Sequence, residues 1–141
     1  MSVFWRNWFV GFFGALMLFG LVLVGGAFEA TTGPIRWLLV LIGGGIDIRF
    51  DPPLRFVLAL LGAVLIGWAV CLHYTIGAAI DLGPRGRPLW HGMTIGILVW
   101  FVIDCSLSVA TGFALNLIPN TLLLVQYLIG VRGSGVLKPA D

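Results

Sequence analysis

Charge is the scarcest property of this chain. Only 10% of its 141 residues are Asp, Glu, Lys or Arg, where a soluble domain carries roughly 25%. So few charges cannot cover a water-facing surface. With 60% hydrophobic residues, the chain is expected to be an integral membrane protein. The eight bases exceed the six acids by two, and they are scattered. No basic tract is present to follow a phosphodiester backbone, so nucleic acid is excluded as a partner.

Cysteine is nearly absent as well. Cys71 and Cys105 both fall in apolar runs, where thiols are expected to pack as small hydrophobes rather than to form a disulfide. Catalytic signatures are missing. The chain holds no G-x-x-x-x-G-K-[ST], no H-E-x-x-H, no G-x-S-x-G and no C-x-x-C, so phosphate-loop, zinc-protease, serine-hydrolase and dithiol chemistry lose their usual carriers. Cys71, His73, Tyr74 and His91 sit near one another in sequence, but their spacing fits no metal-ligand pattern. No cofactor and no metal are expected.

Long apolar runs are what the chain has. A spanning helix needs about 20 mainly apolar residues, and four segments qualify: Trp8 to Phe28, Leu54 to Ile80, Leu89 to Ala110 and Ala114 to Val131. The first exceeds the 7–15 residues of a typical signal-peptide core, so it is read as a retained helix. These segments predict an all-α membrane protein with four transmembrane helices in a compact up-down bundle. Residues 1–131 form the single domain, and residues 132–141 are expected to be a flexible cytoplasmic tail.

The connection Glu29 to Pro53 is long. Ile46, Ile48 and Phe50 alternate with Asp47 and Arg49, a strand-like period, and Gly43-Gly44-Gly45 would suit a hairpin turn. A short interfacial helix over Ile35 to Ile42 is the equal alternative. By contrast, Thr111, Gly112 and Phe113 leave almost no loop between the last two helices, which predicts a tight antiparallel hairpin.

Four spans put both termini on one side. That side carries Arg6, Arg85, Arg87, Arg132 and Lys138, against Arg36, Arg49 and Arg55 on the other. The positive-inside rule then places the termini in the cytoplasm, with a bacterial inner membrane as the expected location. Trp5, Trp8 and Trp90 open helices, where rings favour the headgroup layer. Phe4, Phe9, Phe12, Phe13 and Phe19 read as lipid-facing or partner-facing. Gly92 and Gly96 form a G-x-x-x-G on the third segment, which permits close packing within the chain or between copies.

One residue resists this account. Asp104 is a carboxylate inside an apolar run, and burying it ionised costs at least about 2.5 kcal/mol. Asp104, Ser108 and Thr111 share a helical stripe, and Asn116 and Asn120 form another. At roughly 1.5 Å per residue, the hairpin brings Asn120 to about the depth of Asp104. Pro119 lacks an N–H and is expected to free the carbonyl of Leu115. Arg55, and next Arg36, are the candidates to reach Asp104 from the membrane edge.

The candidate ligand-binding set is therefore Asp104, Ser108, Thr111, Asn116, Asn120 and Arg55. As a polar staple, this cluster would suit a non-enzymatic accessory, scaffold or oligomeric membrane subunit. As an open site, it would suit a transporter-like protein or a small isomerase-like lipid enzyme, with Asp104 as proton donor or cation partner. The expected partners are the lipid bilayer and further copies or a larger membrane complex.

Overall fold

The computed structural model describes residues 1–137. The tail is placed only in part: its last four residues, Lys138 among them, lie outside the described residues. Five α-helices follow one another: α1 Val3–Gly25, α2 Gly33–Ile42, α3 Pro52–Asp81, α4 Arg87–Ala110 and α5 Leu117–Ser134. Short 3-10 turns at Glu29–Thr31, Gly83–Gly86 and Ala114–Asn116 link them. There is no strand among the described residues. Four of the helices, all but α2, are long and apolar enough to cross a membrane.

The ends of these elements follow from local chemistry. α3 starts where it does because Asp51 caps it. The Asp51 carboxylate accepts from the N–H of Leu54 at 3.0 Å, and Pro52 and Pro53 occupy first-turn positions where a missing N–H costs nothing. α2 is a helix, not the arm of a hairpin, and the glycine run stops it. The N–H of Gly44 donates to Leu41 O and that of Gly45 to Val40 O, with Gly44 at φ +68°. This pair of bonds is a Schellman ending. It uses the glycines that a hairpin turn would have needed. Ile46 to Phe50 then run without regular structure, because a lone segment has no strand to pair with.

The long helices pair in a definite register. α1 lies along α3, with Gly20 beside Ile66 and Gly26 beside Leu58, so the two run in opposite directions. The contact is close: a methyl group placed on Gly62 would sit 2.6 Å from the carbonyl oxygen of Gly20. α5 returns along α1, with Tyr127 against Phe12 and the Trp8 indole donating to Gln126 O at 2.8 Å. α4 meets α3 through Trp68 and Trp100.

The main core lies where the start of α1, the end of α3, the start of α4 and the end of α5 converge, here called the terminal end. Phe9, Phe12, Phe13, Leu16, Ile76, Trp90, Ile97, Tyr127 and Val131 fill it. Two expectations change. Trp90 is 1% exposed and packs its ring 5.3 Å from that of Phe9, so it is a core residue and not a headgroup anchor. Phe9, Phe12 and Phe13 are core residues too, whereas Phe4 points outward. The packing of four helix ends around one point accounts for both.

At the opposite, far end, α2 packs against α1 and against the turn at Ala114–Asn116. Its Ile35 is wholly buried, while Trp37 and Leu41 face outward.

Candidate functional site

Building the polar cluster starts with the turn between α4 and α5. Gly112 adopts φ +87°, a left-handed conformation that side chains disfavour. The Gly112 N–H donates to Val109 O at 3.2 Å and the Phe113 N–H to Ser108 O at 2.8 Å. This second Schellman ending folds the chain back within three residues. The first residues of α5 therefore lie beside the last turns of α4.

That geometry joins four of the predicted residues into one chain of hydrogen bonds. The Asn120 amide donates to Oδ2 of Asp104 at 3.1 Å, and the Ser108 hydroxyl to Oδ1 at 3.3 Å. The Asn116 amide donates in turn to the Ser108 hydroxyl at 2.9 Å. Asn120 is 4% exposed and Ser108 7%, while Asp104 and Asn116 are half-buried. Each carboxylate oxygen thus accepts one bond from the same hairpin. Sequence reasoning did not single out Cys105, whose thiol lies 3.7 Å from the Asn120 amide nitrogen. Its position next to Asp104 was the available signal.

The other two predicted residues lie apart from this chain. Thr111 turns back onto its own helix and donates to Leu107 O at 2.8 Å. The exposed backbone carbonyls at a helix end are the nearest acceptors, so its hydroxyl bonds locally. Arg55 does not reach Asp104. Its guanidinium pairs with Glu29 and donates to Gly26 O at 3.2 Å, to the Thr32 hydroxyl at 2.9 Å and to Phe50 O at 3.2 Å. A guanidinium with five donors is spent on the segment it starts beside. Arg36 is likewise occupied, with Ile48 O at 3.2 Å and the Phe50 ring at 4.5 Å.

Pro119 also differs from its expected role. It falls in the first turn of α5, where backbone N–H groups have no intrahelical acceptor, so no bond within a helix is lost.

The histidine region forms no ligand cluster among the described residues. His73 stands edge-on to Phe13 at 5.0 Å, and Cys71 is exposed while Cys105 is buried.

Three grooves lie elsewhere. One runs between α3 and α4 past Trp68 and Trp100, one between α1 and α3 past His73, and one opens at the terminal end beside Arg87. Among the described residues, Asp104 lines none of these three.

Chemically, the cluster can hold two helices at a fixed rotation, and it can present a half-exposed carboxylate. Compared with known protein families, curated proteins and solved structures, the chain matches none. The roles of these residues therefore rest on their geometry alone.

Proposed function

We propose that the protein is a multi-pass integral membrane protein in which α1, α3, α4 and α5 form an up-down bundle. We further infer that it works as a non-enzymatic accessory, scaffold or oligomer-forming membrane subunit. The observation that carries this reading is the closure of Asp104 on its own hairpin. Asn120 and Ser108 each occupy one carboxylate oxygen, and Asn116 supports Ser108 from behind. Polar residues placed this way act as glue between membrane helices.

The wide apolar exposure of the four long helices supports a lipid environment, since Leu18, Phe56, Val64, Ile95, Val102 and Leu122 all face outward. Charge supports the orientation with termini in the cytoplasm. The terminal end carries Arg6, Arg85, Arg87 and Arg132 among the described residues, while the far end carries Arg36, Arg49 and Arg55.

The test is Asp104→Asn, which keeps the shape and a hydrogen-bonding side chain. The expected outcome is unchanged abundance in the membrane, an unchanged set of proteins recovered in mild detergent, and full complementation of a deletion strain. Loss of complementation at normal abundance would favour a second reading, a transporter-like protein or small lipid-modifying enzyme that uses the carboxylate. The half-exposure of Asp104 is the observation on its side.

A further inference from the structure

At the terminal end, a cavity of about 260 Å³ opens where four helix ends meet. Ala79 and Ile80 of α3, Trp90 of α4 and Val136 beyond α5 give it apolar walls, and Arg87 and Ser134 give it a polar rim. Arg87 is half-buried. One of its terminal nitrogens donates to Leu137 O at 3.0 Å, the single hydrogen bond of this guanidinium among the described residues. That bond ties the cavity-lining side chain to the segment that follows α5. A guanidinium carries five donors in a planar fork that suits phosphate oxygens.

The surroundings are predominantly basic. Arg6, Arg85 and Arg132 belong to the same end, with Asp81 as the lone described acid. Basic pockets between membrane helices on the cytoplasmic side suit anionic headgroups. We propose that this cavity is a phosphate-binding site, with Arg87 as its anchor, for the headgroup of an anionic phospholipid of the cytoplasmic leaflet. The apolar wall at Ile80, Trp90 and Val136 takes the glycerol and upper acyl carbons, and the guanidinium takes the phosphate. The lipid source rests on the membrane orientation proposed above. The phosphate chemistry rests on the cavity and Arg87 alone.

The test uses the full chain in a neutral maltoside detergent. Binding of short-chain phosphatidylglycerol and of short-chain phosphatidylcholine is counted by native mass spectrometry, with inorganic phosphate as competitor. The expected result is a preference for phosphatidylglycerol that Arg87→Gln weakens about tenfold and that Arg6→Gln changes less than about twofold. Ser134→Phe keeps every arginine but fills the cavity, and it should lower binding as Arg87→Gln does.

Displacement of the lipid by inorganic phosphate assigns the site to the phosphate group itself. Failure to displace assigns it to the whole lipid. Equal losses for Arg6→Gln and Arg87→Gln overturn the proposal in favour of diffuse surface charge, as does unchanged binding in Ser134→Phe. Extraction of the protein from native membranes by alkaline carbonate refutes the membrane reading separately, because the Arg87 dependence is measured in micelles.

Discussion

Asp104 shows how a costly residue becomes tolerable through its near neighbours. Its two oxygens find donors four residues along its own helix and across the turn. Interhelical hydrogen bonds of this kind average about 0.6 kcal/mol and reach about 1.7 kcal/mol. Asn120→Ala removes the better-buried partner and should lower stability by about 1–2 kcal/mol. Thermal unfolding in detergent, followed by circular dichroism, reads this, and Asp104→Asn should show less than half the loss. Arg55 works at the other side of the far end. Arg55→Gln should speed hydrogen exchange in residues 29–51, which its bonds to Gly26, Glu29, Thr32 and Phe50 tie down. Exchange at the middle of α4 should stay unchanged, because neither Arg55 nor α2 packs there.

The sequence told which residues of this cluster belong together, because helical spacing and a three-residue turn place them by arithmetic. It missed the direction of Arg55 and Thr111. Depth along a helix can be counted from the sequence. The choice a long or short side chain makes between nearby carbonyls depends on where the loop folds.

Among the elements, glycine separates into two kinds that look alike in sequence. Gly62 and Gly20 let α1 and α3 approach to backbone contact. Gly92 and Gly96, the conspicuous G-x-x-x-G of α4, have no neighbour within 4 Å of where a side chain would begin. The motif does not pack against this chain. Gly62→Leu should therefore cost about 1–3 kcal/mol or more through overpacking. Gly96→Ala should be neutral, or stabilise by up to about 1 kcal/mol by stiffening the helix. Thermal midpoints of the two variants, measured side by side, check both.

The long helices were legible because apolar length and proline or glycine punctuation mark them. The shape of residues 43–50 was not. Alternating Ile46, Ile48 and Phe50 fit a strand, but a strand exists only where another pairs with it, and no local pattern reports that absence.

On the scale of the whole molecule, charge and packing are both unevenly divided. The terminal end holds the aromatic core and the excess of arginine, and the far end holds the polar cluster and fewer bases. This asymmetry predicts orientation. In a background of Cys71→Ser and Cys105→Ala, a single cysteine at Asn7 should react with a membrane-impermeant maleimide only after the cytoplasmic face is opened. One at Arg49 should react on intact cells. The reverse pattern would contradict the positive-inside assignment.

The strap formed by α2 carries a consequence for biogenesis. α2 packs against α1, which precedes it, and against the turn at Ala114–Asn116, which leaves the ribosome only after all of α4. Until then, the seat of Ile35 is incomplete. α1 and α3 can already pair through Gly20 and Gly62, so the last step of assembly is the arrival of the second hairpin beneath a waiting strap. A chain truncated before residue 114 should insert yet leave α2 open to proteases outside the membrane. The seating of α2 thus reports whether the chain has been made past α4.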